Sequence, residues 1–481
     1  MYPIAEHWLN YIDGQWCDSE SRLTVNNPGT GAPLASIAQA SVVDAERAVQ
    51  AARRCADSGA LSSVRPAQRV TWLLRIAEEI RALTEEGAWV LCQENGKSLN
   101  DARDEFIEAA RYFEYYAGMA DKIEGTSIPL GNGYMDFTVY DPMGVSAQIV
   151  PWNFPVSICA RSLAPALAAG NAVVIKSPEL SPLGMCVLIR AIAQAGLPQG
   201  AVNLICGRGR EVGTHLVNSA KIDQIVFTGS VPTGQTILRD AAAHAIPSVM
   251  ELGGKSAAIA FADADRQQLL ASVKGGIFFN AGQVCSAMSR LLVQREIYEE
   301  IVQSVVELAE GLSVGLGQDN PDLTPVVSAG QLASIETLCR RAIDEGAVAA
   351  TGGEAFSDRA GHFMRPTVFR DVSPEMCIAQ EEVFGPVLAI IPFDSEEQAL
   401  AIANGTEFGL VAGVFTQDIS RAMRCARRLK AGQVFVNEWY AGGIETPFGG
   451  VGLSGFGREK GQEALYSYVR TKNVAIRVAG E

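Results

Sequence analysis

Histidine is scarce. The 481 residues hold four, at positions 7, 215, 244 and 362, none three or four places from another, so a histidine-built metal centre has little material and none is expected. Positive charge is also short: 39 Lys and Arg face 54 Asp and Glu, a net charge of −15 that disfavours nucleic acid and anionic membrane as partners. No apolar run reaches the roughly 18 residues of a membrane span. Glu6, His7, Asn10 and Asp13 interrupt the apolar centre that a signal peptide would need. The ten cysteines form no CxxC pair and suggest no disulfide framework. Reduced thiols in the cytoplasm, each most simply a small core residue, are the expectation.

What is present describes a large globular chain. Hydrophobic residues make up 48% and charged residues 19%, which excludes disorder and collagen-like repeats. The length suggests about three domains at roughly 150 residues each. From Asp44 to Tyr116 apolar residues recur at helical spacing, as in Val70, Leu73, Leu74, Ala77 and Ile80. Tyr134 to Tyr140 alternates like a strand, and Asp141-Pro142-Met143-Gly144 reads as a turn. Beyond it, short β runs at 145–150, 172–176, 202–205, 224–228 and 248–251 are separated by helix-like segments at 162–169, 183–195, 211–219 and 233–243. That alternation predicts a doubly wound parallel sheet. A second α/β unit spans Ala257 to about Val436, with strands at 257–260, 291–293, 387–391 and 434–436, and Tyr466 to Val478 ends in a terminal strand.

Several motifs could carry chemistry. In Asn280-Ala281-Gly282-Gln283-Val284-Cys285, a glycine-permitted turn precedes a cysteine just ahead of a strand. Taken alone, Cys285 reads as a structural thiol. Glu251 closes a strand and is followed by Leu252-Gly253-Gly254-Lys255, which puts a carboxylate where open α/β sheets bind ligands; the bland alternative is a surface pair with Lys255. Pro151-Trp152-Asn153-Phe154-Pro155 is a stiff loop whose Asn153 amide can face an oxyanion or merely satisfy its own turn. Thr228-Gly229-Ser230-Val231-Pro232-Thr233-Gly234 leaves a strand and opens a helix, a place for a pyrophosphate, although the G-x-G-x-x-G spacing is absent. Gly96-Lys97-Ser98 and Gly254-Lys255-Ser256 are not P-loops, because Leu91 and Val249 stand where the first glycine belongs.

Taken together and in order, these motifs resemble the NAD(P)-dependent aldehyde dehydrogenase superfamily, in its hydrolytic branch. The resemblance rests on Trp152-Asn153, Lys176 with Glu179, Phe227-Thr228-Gly229-Ser230, Glu251-Leu252-Gly253-Gly254, Gly282-Gln283-Val284-Cys285, Glu381-Glu382-Val383-Phe384-Gly385-Pro386 and Pro447-Phe448-Gly449-Gly450. It runs from Asn27-Pro28 to the tail. The implied fold is α/β and aldehyde-dehydrogenase-like: a Rossmann-type cofactor domain (1–123 and 143–253), an α/β catalytic domain (254–453) and a small β oligomerisation element (124–142 and 469–481).

The resemblance implies that Cys285 attacks the aldehyde as a thiolate, that Asn153 and the Cys285 N–H hold the oxyanion, and that Glu251 activates water against the thioester. It implies cofactor contacts from Trp152, Lys176, Glu179, Gly229, Ser230, Leu252, Glu382 and Phe384. A carboxylate at 179 favours NAD, with NADP still possible. Phe154, Arg161, Phe279, Trp439, Tyr440 and Phe448 are the implied substrate lining. Arg161 suggests a carboxylate-bearing semialdehyde unless it pairs with a local acid; Glu438 and Glu445 suggest a cationic aminoaldehyde; the aromatics suit an aromatic aldehyde. A coenzyme A-acylating relative would lack the base at 251, and a non-catalytic protein on the same scaffold would have no need of all three reactive residues. A homodimer or homotetramer is expected.

Overall fold

Five apolar runs, Val145–Ile149, Ala172–Ser177, Val202–Cys206, Gln224–Thr228 and Ser248–Glu251, are buried almost throughout and pair as parallel strands. Strands buried on both faces need continuous apolar sequence, which is why these were legible. The computed structural model describes residues 2–478. Across this sheet the order places Val145–Ile149 between Ala172–Ser177 and Gln224–Thr228, so the winding direction reverses beside Val145–Ile149. Ligand crevices form at such reversals, outside the carboxyl ends of the strands. The loop Pro151–Phe154 and the turn Gly229-Ser230 leave the two strands that flank this one.

Antiparallel additions complete the sheet: Asn10–Ile12 and Gln15–Cys17 at one edge, Gly455–Phe456 at the other. A second sheet of seven strands runs in the order 348–351, 367–370, 387–393, 290–294, 257–260, 411–415, 433–436, parallel except at its first member. Two hydrophobic cores result. One extends from Ile12 to Leu252 and takes in Ile444, Ala464, Leu465, Tyr468 and Val469, and the other runs from Ala257 to Phe448. Phe154 packs against both.

Helix Val42–Asp57 packs on the first sheet, and helices Pro66–Ala82, Thr84–Asn95 and Leu99–Ala117 form an outer layer against helices Pro155–Ala169 and Leu183–Gln194. Ser41 and Asp44 form a reciprocal capping box at the first, and Pro66 occupies the first turn of the second. The helix expected at 162–169 spans Pro155–Ala169, and all fifteen of its residues are buried. A helix with no solvent face shows no amphipathic period, so its first half escaped the pattern. Likewise Tyr134–Pro142 stays extended through Asp141 and Pro142, leaving only Met143-Gly144 as the turn. That strand pairs antiparallel with Val469–Arg477, forming with Ser127–Ile128 a small third sheet. Positions 479–481 of the expected oligomerisation element lie outside the described residues. Among the described residues no helix is long and apolar enough to cross a membrane, and no group of three or more His, Cys, Asp and Glu could hold a metal ion.

Candidate active site

The chain reaches Cys285 through an unusual backbone. The helix Arg266–Val273 loosens into a π turn at Lys274–Phe278, after which Asn280, Ala281 and Gly282 take left-handed φ values of 49°, 54° and 70°. A Cβ on Gly282 would stand 2.0 Å from the Gly385 carbonyl oxygen, so glycine is required there for space as well as conformation. Gln283 donates to Asn280 O and accepts from Val327 N, pinning the turn. Cys285 then emerges where two chambers meet.

One chamber, of about 210 Å³, is lined by Trp152, Asn153, Gly229, Ser230, Leu252, Gln331, Glu382, Phe384 and Cys285, with neighbouring backbone. The other, a funnel of about 190 Å³, is lined by Asn153, Phe154, Arg161, Cys285, Tyr440 and Phe448, with Glu108, Tyr112, Ser157 and Lys460 among its further residues. Only Asn153 and Cys285 belong to both. A cleft of about 700 Å³ lies nearby, bordered by Glu179, Arg208, Gly209, Thr233 and the start of helix Val231–Ala242.

Burial pushes the Cys285 thiol up to about 12; the Arg161 charge pulls it down, and Glu382 and Glu251 push it further up. The resting sulfur is therefore protonated. Asn153 directs its side-chain N–H to Gln283 O at 3.0 Å. Glu251 is 2% exposed, and neither carboxylate oxygen has a hydrogen-bond partner among the described residues. Burial first and the charge of Glu459 second hold its carboxyl well above the usual range, against Arg161 and Arg458. This is not a surface ion pair with Lys255, since Lys255 is itself buried with an unpartnered ammonium.

On the cofactor side, Glu382 accepts from Gly254 N at 3.0 Å and lies over Gly253, while Phe384 meets the Trp152 ring edge-on at 5.3 Å. Burial pushes Glu382 up to about 7, opposed by the Gly254 N–H and by Lys255. Glu179 borders the large cleft and accepts from Gly209 N at 2.9 Å. Lys176 is not on that border: it is buried beneath Glu179, 3.7 Å away.

The substrate side departs from the expected lining at Trp439 and Phe279, while Arg161 lines the funnel and meets the local acid foreseen as its alternative. Arg161 is ion-paired with the buried Glu459 and stands 5.2 Å from the Phe448 ring centre, so its charge is already matched. Trp439 is not lining; it is 5% exposed and braces the loop from behind by donating to Ser286 O at 3.2 Å. Phe279 also stands back, stacked on Phe154 at 5.7 Å. Glu438 and Glu445 are exposed, and Glu445 pairs with Arg111. Glu108, Tyr112, Ser157, Glu459 and Lys460 went unnoticed in the sequence, because only the packing of helices Leu99–Ala117 and Pro155–Ala169 against the tail brings them together. Gln331 was equally silent, arriving from a separate helix.

Comparison with known proteins agrees with this geometry. Residues 16–474 match the model of the aldehyde dehydrogenase family. A betaine aldehyde dehydrogenase of Bacillus subtilis is 38% identical over 472 residues, 96% of each chain. The NAD+ complex of an aldehyde dehydrogenase from Bacillus cereus superposes with a TM-score of 0.97 at 37% identity, covering 98% of this chain and 97% of that one. A betaine aldehyde dehydrogenase from Staphylococcus aureus, also in complex with NAD+, gives 0.96 at 35% identity, covering 98% and 95%. The chain belongs to the aldehyde dehydrogenase family.

Proposed function

We propose that this enzyme oxidises an aldehyde to its carboxylic acid with NAD, using Cys285 as nucleophile, Asn153 as oxyanion donor and Glu251 as the base for hydrolysis. The observation that carries this is the sharing of Cys285 and Asn153 by two otherwise separate chambers. A carbon delivered through the funnel meets the sulfur at the wall of the second chamber. The donor groups fit the dinucleotide. Glu179 offers a carboxylate to ribose hydroxyls, and Ser230 and Thr233 with the start of helix Val231–Ala242 suit a pyrophosphate. Glu382 offers a second carboxylate beside Trp152 and Phe384. Glu179 also disfavours a 2′-phosphate, which supports NAD over NADP.

The residues divide the work as follows. The Cys285 thiol passes its proton to solvent water and the sulfur bonds to the aldehyde carbon, leaving a negative oxygen within reach of the Asn153 side-chain N–H and the Cys285 backbone N–H. When bound, NAD supplies the hydride acceptor that raises this carbon to the acyl level. Glu251 then takes a proton from water, whose oxygen attacks the acyl carbon and releases the acid and the Cys285 sulfur. A carboxylate with raised proton affinity is the stronger base for that step.

Among aldehydes, an aromatic one suits the funnel best. Phe154, Tyr440, Phe448 and Tyr112 form its walls, and Glu459 already matches Arg161, so that guanidinium is not left waiting for a semialdehyde carboxylate. A cationic aminoaldehyde is the second reading, favoured by Glu108 in the lining and by the names of relatives, and opposed by Lys460 opposite. An NADH-formation screen over aromatic, amino, aliphatic and succinic aldehydes, ranked by kcat/KM, tests both readings. Higher kcat/KM for succinic semialdehyde than for benzaldehydes would overturn the aromatic assignment, and wild-type turnover by Cys285→Ala would overturn the nucleophile. The net charge and ten unpaired cysteines support a cytoplasmic enzyme without nucleic-acid or membrane partners, and the third sheet supports a homo-oligomer.

A further inference from the structure

Gly96-Lys97-Ser98, unusable as a phosphate loop, lies directly behind Asn153. The Lys97 side chain is fully buried. Its ammonium donates to the Asn153 carbonyl oxygen at 2.7 Å, pairs with the Glu105 carboxylate and faces the Phe154 ring 4.0 Å from its centre. Three N–H directions meet three partners. The other Glu105 oxygen accepts from Val156 N at 3.2 Å and Ser157 N at 3.1 Å, amides that open helix Pro155–Ala169 and have no partner within it. Two residues before Lys97, Asn95 donates to Trp152 O at 2.8 Å. One short stretch, 95–105, therefore grips residues 152, 153, 154, 156 and 157. It passes over only Pro155, which has no N–H to offer.

Stability alone does not account for this arrangement. Removing an ammonium and a carboxylate from water costs about as much as their attraction returns, and well-packed apolar side chains of similar volume generally serve a fold as well or better. An apolar pair could not hold a carbonyl oxygen and two amides in fixed directions. With Asn280 donating to the same Asn153 oxygen at 3.2 Å, the peptide plane is set from two sides, and Gln283 O holds the side-chain nitrogen at 3.0 Å, which leaves its second N–H for the oxyanion. The Asn153 amide needs that fixed origin, because it must meet an oxygen that is negative only after the sulfur has bonded.

We infer that Lys97 and Glu105 form a positioning pair for the reaction: they hold the Asn153 backbone so that its amide reaches the oxyanion on Cys285, without touching substrate or cofactor themselves. The inference rests on Asn153 being the oxyanion donor, as proposed above.

A double-mutant cycle separates this role from a structural one. Lys97→Met is made in the wild-type enzyme and in Asn153→Ala, with kcat, aldehyde KM and NAD dissociation constant measured for all four proteins and thermal melts confirming folding. Lys97→Met alone should lower kcat about 10- to 100-fold, the cost of a misplaced catalytic group, with KM and NAD affinity within about twofold of wild type. In the Asn153→Ala background the same substitution should change kcat by less than about twofold, because the group it positions is gone. Wild-type kcat in Lys97→Met, or an undiminished loss in the Asn153→Ala background, overturns the inference. Wild-type kcat in Asn153→Ala itself removes the oxyanion assignment and this inference with it, a distinct result. Should Lys97→Met fail to fold, Glu105→Gln, which keeps an acceptor for Val156 and Ser157 while removing the charge, goes through the same cycle with the same outcomes expected.

Discussion

A sulfur with its proton affinity raised to about 12 is chemically quiet until something near it changes. Cysteine alkylation reads this directly: with no cofactor added, the rate of Cys285 modification by iodoacetamide should climb about tenfold per pH unit from pH 8 to pH 11. A plateau below pH 9, followed by mass spectrometry of the modified peptide, would contradict the burial argument. Glu251 has the complementary property. Glu251→Gln should retain a burst of one NADH per active site and then turn over about a hundredfold more slowly, since acylation survives and water activation does not. In the wild type the deacylation rate should rise with pH through a value well above the usual carboxylate range, as the buried carboxyl ionises. Loss of the burst in Glu251→Gln would move this residue to the acylation step. Cys285, Glu251 and Asn153 stood out because each lies in a short motif with glycine or proline nearby, but taken alone Cys285 reads as a structural thiol and Glu251 as a surface ion pair, and it is the ordered resemblance that suggested their roles. Lys97, Glu105 and Glu459 did not stand out, because nothing in their neighbours distinguishes a buried ion-pair member from a surface charge.

At the scale of elements, helices here are often closed by side chains from elsewhere. Pro182 precedes helix Leu183–Gln194 and contributes no side-chain cap. Glu94, fully buried on a neighbouring helix, accepts from Leu183 N at 2.7 Å and Gly184 N at 2.6 Å instead. Glu94→Ala strands those two amides and should cost about 2–3 kcal/mol in urea unfolding. Burial pushes the Glu94 carboxyl up to about 8, against those two N–H groups. A raised folded-state value means that this group's contribution to stability is whole below its unfolded pKa of roughly 4.3 and is lost as pH rises through about 8. Glu94→Gln should therefore lose less stability than the wild type between pH 5 and pH 8, measured by melts of both proteins; parallel curves would contradict this. The parallel strands of the first sheet were readable as short apolar runs. Strands Val348–Thr351, Thr367–Arg370 and Val411–Phe415 were not: the first is partly exposed and has alanine at its two central positions, the second has only Val368 and Phe369 as apolar residues, and the third carries Gly413 at its centre.

The whole molecule ends in a sheet that looks outward. Tyr134–Pro142 and Val469–Arg477 pair over nine residues, and the cross-strand neighbours Met135 and Ile476 are 57% and 43% exposed. An apolar face on an open β edge invites a second chain. Met135→Lys with Ile476→Lys should shift sedimentation at micromolar concentration from oligomer to monomer while leaving each protomer folded; a wild-type protein that sediments as a monomer would remove the premise. The two α/β units were visible in the alternation of strand and helix patterns. Their interleaving was not, since strands at 10–12 and 455–456 close the first sheet from opposite ends of the chain, and such distant pairings leave no local mark. The separate walls of the two chambers carry a last consequence. Because they share only the reacting pair, replacements at Phe448 or Tyr440 can retune which aldehydes are accepted at constant dinucleotide affinity. The scaffold is thereby open to diversification on one side while the redox partner on the other stays the same.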